Sequence, residues 1–155
     1  MFTHINKENK PTMVDVGDKK ITKRRALARS VVVAHAVLMQ HFKDGDISTK
    51  KGPVFQTAII AGNMAVKKTF DLIPFCHPVP IEACNINIDV VDNKIVINCE
   101  VKAEYKTGIE MEALCGASVA ALTVYDMCKA LSHEIIIEKT ELISKNGGKK
   151  DYVKT

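Results

Sequence analysis

The spacing of apolar and polar residues predicts three helices. Residues 22–42, TKRRALARSVVVAHAVLMQHF, have the pattern of a helix that begins at a threonine cap and ends at Asp44-Gly45. Residues 53–69 begin with proline, which is well tolerated at the first position of a helix. Residues 107–131 begin with Thr-Gly-Ile-Glu, which predicts a capping box in which the threonine caps the helix and the glutamate bonds back to it.

Other stretches alternate residue by residue, as strands with one buried face do. Apolar side chains share one face from 84 to 90 and again from 95 to 103, and Asp92-Asn93-Lys94 supplies a turn between them, which predicts a β-hairpin. Residues 134–145 predict a last strand, and residues 14–16 an early short one. The order ααββαβ predicts an α+β fold with helices packed on one face of an antiparallel sheet.

The third predicted helix is apolar on more than one side. Met111, Cys115, Val119 and Leu122 form one stripe, alanines cover much of the opposite side, and no charge lies between Glu112 and Asp126. A helix of this kind is buried on more than one side. Since the sheet can cover only one side, we expect another helix or a second subunit to cover the other.

Composition adds few constraints. The 155 residues suit a single catalytic domain, 1–155, in which about 1–20 and 146–155 are expected to be loosely ordered arms. Apolar residues make up 46% and charged residues 26%, and no apolar run approaches 18 residues, so we expect no membrane span. Five irregularly spaced cysteines and an N-terminus without an apolar signal-peptide core favour a reducing, cytoplasmic location.

The segment DLIPFCHPVP, residues 71–80, holds the most unusual residues of the chain. Cys76 and His77 suggest a metal site, a nucleophile with its base, or a stiff connector. Zinc is disfavoured because four ligands in a recognisable spacing are lacking. A nucleophile pair is disfavoured because adjacent residues of an extended segment point in opposite directions. The three prolines restrict the residues before them and so predict a stiff segment that holds His77 in place.

Three residues outside this segment are candidates for chemistry. Asp126 and Lys129 are spaced to pair on a helix, either as an ordinary salt bridge or as an acid/base pair in a cleft. Lys51 precedes the start of the second helix, where free N–H groups and a lysine would suit a phosphate; the alternative is a solvated linker lysine. Glu110 is accounted for by the capping box, whereas Glu112 is not.

Basic residues cluster early in the chain, although the net charge is only +4. Lys19, Lys20, Lys23, Arg24, Arg25 and Arg29 lie within eleven residues. They suit phosphate binding or a solvated helix face, and they raise a nucleic-acid-binding module as an alternative function. A chain that is 5% aromatic, lacks tryptophan and has no recognisable reading helix argues against that module. A catalytically inactive nucleotide binder with an oligomeric or regulatory role is a second alternative.

Several long motifs resemble those of one family, the molybdenum cofactor biosynthesis protein C family of cyclic pyranopterin monophosphate synthases. The resemblance covers about residues 4–150 and rests on the stretches MVDV, T-x-R, KGPVFQTAIIAG, DLIPFCHPVPI, GIEMEALCGASVAALTVYDMCKA and SKNGGK. It implies a ferredoxin-like α+β fold and a homohexamer, a trimer of dimers with active sites at subunit interfaces. It also implies a lyase that converts 3′,8-cyclo-7,8-dihydroguanosine 5′-triphosphate to cyclic pyranopterin monophosphate and releases pyrophosphate.

The resemblance also implies roles for individual residues. Asp126 matches the catalytic acid/base, Lys129 its neighbouring lysine and Lys51 the lysine of the KG motif. The positions that match substrate-binding residues are Phe75, Cys76, His77, Glu110, Met111, Glu112 and Arg24. No metal site or resident cofactor is expected, with Mg²⁺ accompanying the triphosphate as an open alternative, and neither nucleic acid nor membrane is an expected partner. Pro53 and Arg25 depart from the family pattern.

Overall fold

The computed structural model describes residues 5–6 and 8–155, which form a five-stranded sheet, a three-stranded sheet and four helices. The strands are β1 (Thr22–Val33), β2 (Phe42–Lys43), β3 (Asp46–Thr49), β4 (Gly52–Pro53), β5 (Ala83–Val91), β6 (Lys94–Tyr105), β7 (Ile136–Asn146) and β8 (Tyr152–Val153). The helices are α1 (Ala36–Met39), α2 (Val54–Lys67), α3 (Thr69–Leu72) and α4 (Glu110–Cys128).

The larger sheet is antiparallel throughout and has the strand order β5-β6-β1-β7-β8. Its main elements follow the order β1-α2-β5-β6-α4-β7, and α2 and α4 pack side by side on one face. This is the ferredoxin-like arrangement that the family resemblance implies. The predicted α+β class, with helices on one face of an antiparallel sheet, is confirmed.

The predicted first helix is wrong, because residues 22–33 form β1, the central strand of the sheet. Its side chains alternate: Ala26, Ala28 and Val32 are buried, whereas Arg25 is exposed and Leu27 is half-buried. Alanine, arginine and leucine favour helices as isolated residues. Pairing with β6 on one side and β7 on the other overrides that preference, and the element order is βαββαβ rather than ααββαβ.

Two smaller predictions also fail in the first half of the chain. Asp44-Gly45 does not end a helix; both residues have positive φ and connect β2 to β3 as a tight hairpin. Asp-Gly is among the strongest signals for such a two-residue turn. Residues 14–16 belong to no strand. The predictions for α2, the β5–β6 hairpin and β7 are confirmed, each to within a few residues of the observed bounds.

Glycines allow α2 and α4 to approach each other and the sheet closely. A Cβ atom added at Gly62 would lie 2.9 Å from the carbonyl oxygen of Gly116. A Cβ atom at Gly116 would lie 2.6 Å from both Cys99 Sγ on β6 and Val66 Cγ2 on α2. Since carbon atoms do not normally approach so closely, the two glycines fix the depth at which α4 sits between α2 and the sheet.

The sides of α4 differ in burial, whereas the sequence predicted burial on more than one side. The alanine-rich side is buried against the sheet and α2, so the expected second cover is a helix of the same chain. The stripe that contains Met111 and Leu122 faces outward, and Leu122 is 56% exposed. By length and apolar composition α4 alone among the described helices could span a membrane, but half of it is buried inside the fold, as in the core helix of a soluble protein.

The expected loosely ordered arms lie partly outside the described residues, at positions 1–4 and 7. In the described part, residues 12–16 have no regular secondary structure, and Val14 accepts a hydrogen bond from the body of the protein. At the other end, β8 pairs with β7 through Ser144 and Lys145.

Candidate active site

Lys51, Asp126 and Lys129 form a compact ionic cluster at the C-terminal end of α4. Lys51 Nζ lies 2.9 Å from Asp126 Oδ2 and donates a second hydrogen bond of 3.0 Å to the Asp126 backbone carbonyl. Lys129 Nζ lies 2.8 Å from the other carboxylate oxygen. The predicted Asp126–Lys129 pair therefore forms, and the loop before α2 brings Lys51 to the same carboxylate.

The electrostatics of this cluster stabilise its charged state. The two ammonium groups, first Lys129 and then Lys51, lower the pKa of Asp126 to about 2. The carboxylate in turn raises the pKa of Lys129. All three side chains are about half exposed, at 50%, 56% and 48% for Lys51, Asp126 and Lys129. As described, the cluster is an ion triad open to solvent rather than a carboxyl group poised near neutral pH.

The first N–H groups of α2 are already paired, which disfavours the phosphate site that was one of the two alternatives for Lys51. The carboxylate of Asp46 on β3 accepts hydrogen bonds from the backbone N–H of Phe55 at 2.7 Å and of Gln56 at 3.2 Å. These are among the N–H groups that a helix leaves unpaired at its start. Pro53 is the cap residue rather than the first helical residue. The Lys51 side chain pairs with Asp126 instead.

A pocket of about 590 Å³ lies at the opposite end of α4. Its walls come from the segment before β1, the loop after α3, the start of α4 and the end of β7. The basic side chains that line it are Lys19, Arg24, Arg25, Lys106, Lys145, Lys149 and Lys150, and only two acidic side chains, Glu110 and Glu112, join them. This excess of positive charge suits an anionic ligand with several charges.

All seven predicted substrate-binding residues line this pocket: Phe75, Cys76, His77, Glu110, Met111, Glu112 and Arg24. Arg24 reaches it from the start of β1, where its guanidinium donates to the backbone carbonyls of Tyr105 and Lys106. The nearby Arg25 is paired with Glu100, and Arg29 donates to Asn98. These last two contacts replace the solvated basic helix face that the nucleic-acid alternative requires.

The predicted capping box at the start of α4 does not form. The cap position is Ile109, which makes no side-chain capping bond. Glu110 instead accepts a 2.6 Å hydrogen bond from Lys145 Nζ on β7. Glu110 therefore belongs to the pocket wall, and the role assigned to it from the Thr-Gly-Ile-Glu pattern is wrong.

Glu112 is the most deeply buried charged residue among those described, at 4% exposure. Burial, followed by the negative charge of Glu110, raises its pKa to about 7. Burial and the Glu112 carboxyl together raise the pKa of the neighbouring Cys76 thiol. A thiol with a raised pKa is a poor nucleophile at neutral pH. The geometry thus favours Glu112 as a proton-holding group and disfavours Cys76 as a covalent catalyst.

Residues 74–80 follow α3 without regular secondary structure, and every described peptide bond is trans. His77 Nε2 makes a 2.8 Å hydrogen bond to the backbone carbonyl of Val14, not to Cys76. No group of three or more His, Cys, Asp or Glu side chains gathers as a metal site anywhere in the described part of the chain. Of the three alternatives for Cys76-His77, the stiff connector agrees best with this geometry.

The ionic cluster and the pocket do not meet within one chain. Glu112 lies in the first turn of α4 and Asp126 in the last, fourteen positions apart. At 1.5 Å of rise per residue the separation along the helix is about 21 Å. Reacting atoms have to lie within about 3–3.5 Å of the groups that act on them. A ligand in the pocket is therefore out of reach of Asp126 of the same chain.

Some site residues were missed by sequence reasoning. Asp46 gave no signal, because a lone aspartate in a polar linker is unremarkable. Lys145, Lys149 and Lys150 lie in or beside the SKNGGK stretch, which the sequence marked only as a motif. Lys106 immediately precedes Thr107, and a single lysine beside a predicted helix cap carries no signal of a binding role.

Known proteins of one family match this chain over almost its whole length. The profile of the MoaC family matches residues 13–148. A cyclic pyranopterin monophosphate synthase from Xanthomonas axonopodis pv. citri is 52% identical over 151 residues, which cover 97% of this chain and 92% of the relative. One from Helicobacter hepaticus is 47% identical over 157 residues, covering 99% and 97%.

A longer relative also matches. The "Molybdenum cofactor biosynthesis bifunctional protein" of Synechocystis sp. is 53% identical over 160 residues, covering 100% of this chain and 46% of the relative. The chain thus spans about half the length of the bifunctional relative and nearly the full length of the two synthases.

Proposed function

The chain belongs to the MoaC family, a family of molybdenum cofactor biosynthesis, and on this premise we propose that it is a cyclic pyranopterin monophosphate synthase. Its substrate is 3′,8-cyclo-7,8-dihydroguanosine 5′-triphosphate, and its products are cyclic pyranopterin monophosphate and pyrophosphate. The observation that carries the proposal is the Lys51–Asp126–Lys129 cluster. In it, the Asp126 carboxylate pairs with one lysine from the loop before α2 and with another from the end of α4. Rebuilding a purine into a pterin needs several proton transfers, and such a cluster can relay them.

The basic pocket holds the triphosphate. Arg24, Lys106 and Lys145 lie on its walls, and Lys149 and Lys150 lie at its rim after β7. Charge-assisted hydrogen bonds to phosphate oxygens are stronger than neutral ones. The same cations stabilise the charge that accumulates as pyrophosphate leaves and the remaining phosphate closes into a cyclic ester. Mg²⁺, where it takes part, enters as a companion of the triphosphate.

Two copies of the chain complete each site, since Glu112 at the pocket and Asp126 in the cluster of one chain are separated by about 21 Å along α4. The pocket of one subunit faces the ionic cluster of another. The outer side of the α2–α4 layer supports this assembly, because Ile60, Met64 and Leu122 are each about half exposed or more. Exposed apolar side chains on neighbouring helices are typical of subunit contacts. A trimer of such dimers gives the hexamer.

The partner subunit changes the chemistry of the cluster. In the single chain, solvent and two ammonium groups keep Asp126 ionised. Covering the cluster with a second copy removes water, and burial disfavours the charged forms of both carboxylate and amine. Asp126 and Lys129 then exchange protons with the purine-derived ring at a smaller cost. Glu112, whose pKa is raised to about 7 by burial, holds a proton in part of the molecules at neutral pH and supplies it from the pocket side.

Purified protein incubated with the cyclic triphosphate tests the proposal, with pyrophosphate and the pterin product measured separately. We expect turnover by the wild-type protein and a loss of roughly 10²–10⁴-fold in Asp126→Asn. Asp89→Asn, a substitution of the same kind on β5 outside the pocket and cluster, is the matched control. Tight binding of the triphosphate without any product would overturn the proposal in favour of an inactive nucleotide binder.

A further inference from the structure

Two hydrogen bonds fasten the segment before β1 across the pocket. His77 Nε2 lies 2.8 Å from the carbonyl oxygen of Val14. Lys106 Nζ donates to the carbonyl oxygen of Gly17 at 2.6 Å. The two side chains come from the loop after α3 and the end of the β5–β6 hairpin, which are separate parts of the fold. We call residues 13–19 the strap and the two hydrogen bonds that hold it the latch.

The contact fixes the role of each nitrogen of His77. A backbone carbonyl can only accept a hydrogen bond, so Nε2 has to carry the hydrogen. Nε2 is therefore engaged with the strap, and only Nδ1 remains to meet a ligand. A histidine that acted directly on a substrate through Nε2 would first have to give up Val14.

The strap has a defined local shape. The Asp15 carboxylate accepts a 2.8 Å hydrogen bond from the backbone N–H of Gly17, and the N–H of Lys19 donates to the Val16 carbonyl at 3.1 Å. These bonds close a turn that has Val14 and Val16 among the pocket-lining residues and Lys19 at the same wall. Lys19 is exposed and forms no ion pair with any residue in the described ranges 5–6 and 8–155.

We propose that His77 and Lys106 are positioning residues that hold the strap over the pocket, so that Lys19 meets the anionic end of the substrate. The inference rests on the proposed function for the identity of that substrate. His77 then acts through the strap rather than on the reacting atoms. Loss of the latch removes a cation from the phosphate end without touching the ionic cluster, so KM rises more than kcat falls.

Limited digestion with trypsin tests the latch without any assay of activity. Cleavage after Lys19 and Lys20 requires the strap to leave the pocket, so His77→Ala and Lys106→Met are expected to speed it roughly fivefold or more, the effect of losing one hydrogen bond. His77→Gln retains an N–H donor and is expected to restore protection. His35→Ala is the matched control, because His35 Nε2 bonds to the Glu134 carbonyl at 2.7 Å in another part of the fold.

Kinetics with the cyclic triphosphate give the second readout. His77→Ala and Lys19→Met are each expected to raise KM roughly fivefold or more, and the double variant no further, because both remove the same contribution. Lys102→Met, a lysine removed outside the pocket, is expected to leave KM unchanged. Equal cleavage rates in wild type and His77→Ala overturn the latch, whatever the activity. A fall in kcat with unchanged KM overturns the positioning role, whereas an inactive wild type would count only against the proposed function.

Discussion

Two inactive variants are expected to restore activity when they are combined in one oligomer. Asp126→Asn removes the acid/base carboxylate, and Arg24→Met removes a cation from the pocket while preserving much of the side-chain stem. If a site takes its pocket from one copy and its cluster from another, a mixed dimer contains one intact site and one site with both defects. The intact site arises only because the two residues lie on separate parts of the chain.

The size of the effect follows from geometry and symmetry. A separation of about 21 Å along α4 excludes a site within one chain. Random pairing of two variants makes half of the dimers mixed, and one of two sites in each is intact, so about a quarter of wild-type turnover returns. Asp126→Asn alone is expected to retain roughly 1% or less, because the acid/base contribution is of order 10²–10⁴-fold. Arg24→Met is expected to retain roughly 10% or less at low substrate concentration, because a hydrogen bond to a charged group contributes about 1.5–3 kcal/mol. The signal thus stands well above the background.

The assay is co-expression of the two chains with different affinity tags, followed by product formation per total chain. Native mass spectrometry confirms that mixed dimers are present. Combining Asp126→Asn with Lys129→Met is the matched control, because both changes affect the same cluster and every mixed site retains one defect. Mixed oligomers without recovered turnover would refute the shared site and require the pocket and cluster of one chain to meet by another route.

Three further predictions concern single residues. Lys51→Met is expected to raise the pKa of Asp126 above its wild-type value of about 2, which NMR titration of the carboxyl group measures; an unchanged pKa would contradict the ionic contact. The pKa of Glu112 is raised from 4.5 to about 7, so the folded chain retains a proton that the unfolded chain has released and stability falls as the pH rises through that window, by about 3 kcal/mol. Urea unfolding at one protein concentration is expected to show this loss in wild type but not in Glu112→Gln, and parallel pH profiles would refute it. Gly116→Ala is expected to lower the free energy of unfolding by about 1–3 kcal/mol through its clash with Val66, and an unchanged midpoint of thermal unfolding would show that α4 can shift without cost.

Elements whose local preference agrees with their tertiary environment were predictable from sequence. Residues 84–90 and 95–103 alternate cleanly because one face of each strand is buried under helices. The second helix has a proline at its start and an apolar stripe of ordinary width. The third has small residues, mainly alanines together with Gly116, along much of the side that meets α2 and the sheet. In each case the pattern of side chains along the element matches the way the element is buried in the fold.

The prediction for β1 was wrong because its local preference and its tertiary environment disagree. The run from Arg24 to Ala28 is made of residues that favour helices in isolation, and a strand at the centre of a sheet beneath closely packed helices needs small residues such as Ala26. The information that makes it a strand lies in β6 and β7, far away in the sequence. Three consecutive valines at its end were the one local indication.

The candidate site, too, was only partly predictable from local sequence. Family motifs identified the pocket residues and the cluster, but motif order says nothing about distance. Lys51 and Asp126 are far apart in the chain and share an ion pair, whereas Glu112 and Asp126 lie on one helix at opposite ends. The capping role of Asp46 depends on the β2–β3 hairpin, which was itself hidden by the wrong helix prediction.

The central position of β1 also governs how the protein can fold while the ribosome makes it. β1 is the first strand to be synthesised, but its partners end at Tyr105 and Asn146. Since translation adds roughly 5–20 residues per second, both edges of β1 stay unpaired for on the order of ten seconds. A strand whose edges are open can pair with strands of other nascent chains, here through its apolar end Val31–Val33. Aggregation during translation is therefore a hazard for this chain, and slower growth at low temperature with abundant chaperone is expected to improve its soluble yield.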